Sequence, residues 1–178
     1  MRRVVTGHDA RGRAVFLSDG EPPRVLRLES FRGLEMTELW RTPADATVPA
    51  TSPDPTTEPA RWTPGPGETR AVLTRFPTRA ELESRPGGWD ELAARAEYLA
   101  SVPGDWNVEP GQMAMHTTDS VDYGVVLAGE LWLELDDGAE VRLGPGDVVV
   151  QNGTRHAWHN RSDQPCLMLS VLVGARRT

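Results

Sequence analysis

The stretch "GDVVVQNGTRHAWHN", residues 146–160, holds a Gly-Asp turn, a run of three valines, an Asn-Gly turn and two of the four histidines. Along its last residues His156, Trp158 and Asn160 fall on one face by the period-two alternation of a strand, and His159 falls on the other. A strand this short needs close neighbours, and the surrounding sequence supplies them. From residue 128 onward turn signals recur at intervals of about eight residues, as in all-β sandwiches and barrels. They are Ala128-Gly129, Asp136-Asp137-Gly138, Gly144-Pro145-Gly146, Asn152-Gly153 and the polar run 160–163. Between them lie "LWLELDD", with Leu131, Leu133 and Leu135 alternating against Trp132 and Glu134, then "AEVRL", "DVVVQ" and "CLMLSVLVG". There is no room for crossover helices, so the strands are antiparallel.

The N-terminal half reads differently. "RRVVTG", "RAVFLSDG", "RVLRLES" and "LEMTELWRT" are short strands separated by Gly or Pro turns, and "TRAVLTRF" is a further strand. The segment between them, residues 42–68, carries seven prolines and reads as an extended surface connection. Trp62 is out of place in a free linker and is expected to anchor that segment. Two helices follow. Thr78 and Glu81 form a capping box, stopped by Pro86-Gly87-Gly88. In "WDELAARAEYLA", Asp90 is the N-cap and Trp89, Leu92, Ala93, Ala96 and Leu99 make the expected buried face. The expected organisation is an N-terminal part, residues 1–107, packed on a barrel core, residues 108–178, within one structural domain.

Composition removes several functions. The chain has 178 residues and a net charge of −7, which argues against nucleic acid or anionic membrane as a partner. No stretch is long and apolar enough for a membrane span, and the expected location is the cytoplasm. Cys166 is the single cysteine, so there is no intrachain disulfide and no cysteine-rich metal site. Lysine is absent, which excludes Schiff-base chemistry. Isoleucine is absent too, and with abundant Arg, Ala, Gly and Pro this points to a G+C-rich bacterial genome.

Two spaced motifs carry a resemblance. The first is Gly111, four residues, His116-x-Thr118, three residues, Asp122, six residues, Gly129; the second is Gly146-Asp147, then Gln151-Asn152-Gly153, His156 and Asn160. Their order and spacing resemble the cupin superfamily of small antiparallel jelly-roll β-barrels, over roughly residues 108–175. Thr118 stands where the family has a second histidine, Asp122 where it has glutamate, and Gln151 near the place of its proline. The resemblance implies a divalent metal held by His116, Asp122 and His156, two imidazoles and a carboxylate. That set favours Fe(II), with Zn, Mn and Ni acceptable. Thr118, Gln151, Trp158 and Asn160 are the residues expected to bind substrate or orient the ligands. Tyr123 becomes a candidate acid or base if the strand bends there. The implied function is a metal-dependent enzyme acting on a small organic molecule: a dioxygenase, or a lyase, isomerase, dehydratase, decarboxylase or cyclase using the metal as Lewis acid. The alternative is a non-catalytic cupin that binds a small molecule without metal. The resemblance also implies a homodimer, with the N-terminal strands extending sheets and the helical insert closing one barrel mouth or joining the dimer contact.

Overall fold

A computed structural model describes residues 1–49, 53–84, 87–102, 107–109 and 115–178. Pro86 and Gly111, each given a role above, lie outside the described residues.

The chain opens with a hairpin of β1 (Arg3–His8) and β2 (Ala14–Gly20), which forms a two-stranded sheet of its own. Then come β3 (Val25–Arg27), β4 (Glu35–Thr42) and β5 (Thr69–Phe76), helices α1 (Arg79–Glu83) and α2 (Glu91–Ser101), and the two-residue strands β6 (Asn107–Val108) and β7 (His116–Thr117). The remaining strands are β8 (Ser120–Ala128), β9 (Leu131–Glu134), β10 (Glu140–Leu143), β11 (Val148–Asn152), β12 (Ala157–His159) and β13 (Cys166–Gly174). Every pairing is antiparallel. One sheet has the order β11-β8-β13-β5-β4-β3, and a second, β10-β9-β12, faces it. Together they are the antiparallel barrel expected from the turn spacing, in the jelly-roll form that the resemblance implies. The N-terminal half therefore supplies three strands to the same sheet as the C-terminal half.

The alternation read from "LWLEL" sets the packing between the two sheets. Leu131, Leu133 and Leu143 meet Val126, Cys166 and Met168 in one buried cluster. Each such side chain contributes about 1.5–3 kcal/mol by leaving water. Cys166 is fully buried there, and burial, helped by the charge of Glu130, pushes its thiol up to about 11. The expected result is no reaction of the native protein with a thiol reagent such as DTNB, and full reaction in denaturant. Rapid labelling of the folded chain would show that this end of the barrel opens.

A second cluster, of Met36, Trp62, Val72 and Val102 with Tyr98 packed against it, ties the Pro-rich connection and α2 to the main sheet. Trp62 is 3% exposed and is the expected anchor. The far end of the connection is pinned as well, since Gly67 N–H donates to the carbonyl of Gly174 and Gly174 N–H donates to that of Glu68, both at 2.9 Å.

The helix caps match their residues, with Thr78 accepting from Glu81 N–H and Asp90 from Ala93 N–H. The buried face of α2 does not. Leu92 is 76% exposed and Ala96 is exposed, while Ala94 is buried and Tyr98 and Val102 carry the contact. The helix is turned because Glu97 accepts hydrogen bonds from the backbone N–H groups of Glu29 and Ser30, at 2.9 and 2.6 Å. Trp89 instead lies edge-on to Phe31, with centroids 5.2 Å apart.

Glu81 also pairs with Arg75 at 2.6 Å, and that bond, opposed by partial burial, holds its carboxyl below the ordinary value of 4.5. A carboxyl lowered by folding stabilises the native state above its unfolded value and stops doing so as pH falls through the lowered one. Because the pair is partly exposed, the expected cost of Glu81→Gln is at most about 1 kcal/mol at neutral pH. Urea unfolding of both forms at about pH 7 and about pH 4 checks this, and the gap between them should shrink at the acid value.

Candidate functional site

His116 and His156 lie forty positions apart in the chain and opposite each other in the fold. They form an antiparallel bridge in which each backbone N–H donates to the other's carbonyl, at 2.9 and 3.0 Å. Opposed residues of an antiparallel pair send their side chains to one face. The two imidazole centroids are accordingly 4.2 Å apart. His156 is buried, and its Nδ1–H donates to the Thr154 carbonyl at 2.9 Å. That bond assigns the tautomer and leaves Nε2 with its lone pair. Burial pushes the His156 pKa down to about 3, with the His116 ring acting in the same direction and the Thr154 bond opposing it. At neutral pH this imidazole carries no charge, which is the form that binds a metal or accepts a proton.

Asp122 comes to the same cavity from β8. It sits between Gln151 on β11 and Leu172 on β13 in the ladder, so all three point inward. Burial pushes its carboxyl up, against hydrogen bonding that includes the Thr118 hydroxyl, whose Oγ1 is 3.4 Å from Oδ2. The other oxygen, Oδ1, is buried without a hydrogen-bond partner. A buried polar atom in that state costs free energy and marks a place for an ion, a proton or a ligand group.

His116, Asp122, His156, Gln151 and Trp158 all line one cavity of about 150 Å³. Apart from Thr74 and Ser170, its remaining wall is apolar and aromatic, with Met36, Trp62, Val72, Phe76, Met168 and Leu172 among the lining residues. An apolar cavity of this size takes a molecule on the scale of a benzene ring. Among the described residues no arginine lines it. Trp158 stands edge-on to His156, with centroids 5.7 Å apart, and also packs on the core cluster, so it is both pocket wall and core. Gln151 donates to the Thr154 hydroxyl at 3.1 Å, on the loop that also holds His156 Nδ1. A larger cleft, of about 780 Å³, adjoins the cavity and shares Phe31, Phe76 and Trp158 with it.

Two residues expected at the site lie away from the cavity. Tyr123 is half exposed and does not line the cavity, because β8 runs past residues 122 and 123 in regular register with both β11 and β13, with no irregularity there. Asn160 turns away too. Its side-chain amide donates to the carbonyls of Gln164 and Phe76, and its oxygen accepts from Ser162, so it ties a loop together. Thr118 is buried beside the cavity and reaches it through Asp122. Arg155 pairs with Glu109 and Asp136, at 2.5 and 2.7 Å.

The donors fit a metal in kind. There are two adjacent imidazoles, one held neutral with a free nitrogen, and a carboxylate with an orphaned oxygen. They do not all converge. Among the described residues, three histidine or carboxylate ligand atoms come within 4.8 Å of one another at Glu134, Glu140 and His159, and not at His116, Asp122 and His156. That other cluster lies outside the barrel, where Glu134 already bonds His159 at 2.6 Å and Arg161 pairs with Glu140. The sequence does signal it, since Glu134 and His159 both have outward parity, on neighbouring strands β9 and β12.

Residues 104–172 match the protein family described as the Cupin domain. Over 176 residues the chain is 29% identical to the cupin-domain-containing oxidoreductase fogC of Aspergillus ruber, covering 96% of this chain and 71% of that protein. It is 42% identical over 83 residues to phomopsin biosynthesis cluster protein D of Diaporthe leptostromiformis, covering 40% of this chain and 44% of that one. The match to oryzines biosynthesis cluster protein J of Aspergillus oryzae is 51% identical over 77 residues, covering 43% and 37%. The chain thus spans less than half the length of these last two relatives. All three come from fungi and lend no support to a bacterial source. Among solved structures, KdgF from Halomonas sp. is 17% identical with a TM-score of 0.41, covering 86% of this chain and 87% of that one. Among the described residues no helix is long and apolar enough to cross a membrane. The motif histidines that pair across the barrel both lie within the segment 104–172, which is similar to the Cupin domain family.

Proposed function

We propose that the chain is a metal-dependent cupin enzyme acting on a small organic molecule held in the barrel cavity, with His116, His156 and Asp122 as the protein's metal ligands. The observation that carries this is the histidine pair, two imidazoles fixed side by side by their own backbone bonds on the wall of an apolar cavity. When bound, a divalent ion would supply Lewis acidity or, as Fe(II), a platform for oxygen chemistry. The chain's residues do the rest. The Thr154 carbonyl holds His156 in the ligand tautomer, Thr118 orients Asp122, and Gln151 offers an amide to a polar group of the substrate. Trp62, Trp158 and Met168 keep water from the reacting centre. The likeness to the oxidoreductase fogC supports oxidoreduction over the lyase and isomerase alternatives. A bacterial source rests on composition alone.

A second reading is a non-catalytic cupin that binds its ligand without metal. Thr118 in place of a second histidine favours it, as does the fact that the ligand atoms of His116, Asp122 and His156 do not all come within 4.8 Å of one another. Metal analysis of tag-free protein, purified and then reconstituted with Fe(II), Zn(II), Mn(II) or Ni(II), decides between them when His156→Ala is run beside the wild type. Near-stoichiometric metal in the wild type alone supports the enzyme reading. No metal in either leaves the ligand-binding reading.

A further inference from the structure

The cavity that holds His116 and His156 is small beside the cleft it joins, about 150 Å³ against about 780 Å³. Sites for small organic molecules run to roughly 300–1,000 Å³, so the cavity alone falls short of that size and reaches it only with the cleft. Phe31, Phe76 and Trp158 line both spaces and form an aromatic collar between them. The rings of Phe76 and Trp158 have centroids 6.4 Å apart, and Phe31 is held by the edge-on ring of Trp89. Beyond the collar, the helical insert gives the cleft Leu82 and Trp89, and β12 gives it Ala157 and Trp158. Trp89 is 36% exposed, an aromatic ring left partly in water on the wall of a cleft. The basic side chains of the cleft, among the described residues, are Arg79, His159 and Arg161. Each already bonds a carboxylate: Arg79 to Glu83 at 2.6 Å, His159 to Glu134 at 2.6 Å and Arg161 to Glu140 at 2.8 Å.

We propose that this site takes an uncharged, elongated molecule in two parts: a head no larger than a benzene ring, carrying a hydrogen-bonding group, in the cavity, and an apolar tail that passes the collar and lies in the cleft. This rests on the reading that the barrel cavity receives the small organic molecule, and it holds with or without a metal there. The head is limited by the volume of the cavity. Its polar group has two partners in the wall, the Asp122 Oδ1 that is buried without a hydrogen bond and the Gln151 amide. An anionic head is disfavoured, because it would lie beside Asp122 with no arginine to balance it. A cationic head would have Asp122 as its single counter-charge in a largely apolar wall, and a buried ion so thinly partnered costs more than a neutral group. The tail follows from the collar and the cleft. A molecule that ended at Phe31, Phe76 and Trp158 would leave Leu82 and Trp89 in water, whereas a chain passing between the rings covers them. A charge on the tail gains nothing, since the basic groups along its course are already bonded and Glu83 and Glu134 stand among them.

The test is a series of straight-chain primary alcohols, from butanol to nonanol, titrated into the full chain as purified and again after treatment with a chelator. Tryptophan fluorescence and calorimetry give the dissociation constants. A molecule of about six heavy atoms, the size of benzene, fills a cavity of this volume. Past that length the affinity should keep rising by about fourfold for each methylene, the gain for a CH₂ group that leaves water. Octanoate and octylamine should each bind about tenfold or more weaker than octanol. In Trp89→Ala, nonanol should lose about tenfold or more in affinity and pentanol less than about twofold. Far-UV circular dichroism establishes that the variant is folded; if it is not, the wild-type series decides alone. An affinity that stops rising at about six heavy atoms overturns the proposal. So does either ion binding as tightly as octanol, or a folded Trp89→Ala that keeps the whole gain for nonanol. Failure of every alcohol to bind, short ones included, would overturn the cavity reading itself and this inference with it. The series does not depend on metal content, so the metal-dependent reading and this inference fail separately.

Discussion

Trp62→Ala is expected to cost about 3–5 kcal/mol of folding stability, the range for deleting a buried tryptophan. Trp62 is the largest side chain that the Pro-rich connection buries, and it fills the space between β4, β5 and α2. Its removal leaves a hole that Met36, Val72, Val102 and Tyr98 cannot close without moving the sheet or the helix. The same ring lines the functional cavity, so the hole joins that space and enlarges it. Urea or thermal unfolding measures the loss, and the melting temperature should fall by roughly 10 °C or more. A cost below about 1 kcal/mol would mean that the connection is held elsewhere, and that the order of residues 60–68 owes nothing to this contact.

Gly129→Ala is the second large effect, at about 2–5 kcal/mol. The residue closes the first motif and sits at φ +73°. An L-residue there costs about 1–2 kcal/mol from backbone conformation alone. Its Cβ would also overlap the Pro165 carbonyl oxygen and lie 2.8 Å from the Cα of Cys166. Both neighbours are backbone at the start of β13, so relief requires shifting a strand, and overpacking of this kind costs about 1–3 kcal/mol more. Gly138→Ala isolates the two contributions. It has φ +71° and open space around its Cβ, so it should lose the conformational part only, about 1–2 kcal/mol. Equal losses at the two positions in urea unfolding would show that the β8–β9 turn gives way to the added methyl.

The barrel strands were legible because each is short, alternating and closed by Gly, Asn or Asp. β5 and β13 begin and end where their residue patterns do. Both helix caps were legible for a similar reason, since a cap is a local bond between residues three apart. The rotation of α2 was not. Its periodicity fits two faces, and the one chosen depends on Glu97 finding backbone donors at residues 29 and 30, a contact no local pattern encodes. The site shows the same division. Alternation placed His156 and Trp158 on one face, and it would have placed Tyr123 opposite to Asp122 had a bend not been assumed. Asn160 has the correct parity and still leaves the cavity, because β12 ends at His159 and the residue beyond it follows the loop. How near the Asp122 carboxyl comes to the imidazoles depends on side-chain rotation toward Thr118, which spacing along a strand does not determine.

The backbone bridge between His116 and His156 bears on how the chain reaches its native state. The two residues are remote in sequence, and contacts of that kind form late because the intervening loop must first be closed. Neither imidazole has the other beside it until β8 to β11 have folded into the hairpins between them. A partly folded chain presents isolated histidines, each a weak and indiscriminate ligand. The paired imidazoles come together only as the barrel closes, so a nascent chain does not present them as a pair. Acquisition of the centre's ligand, followed in real time during refolding, would therefore report barrel closure itself.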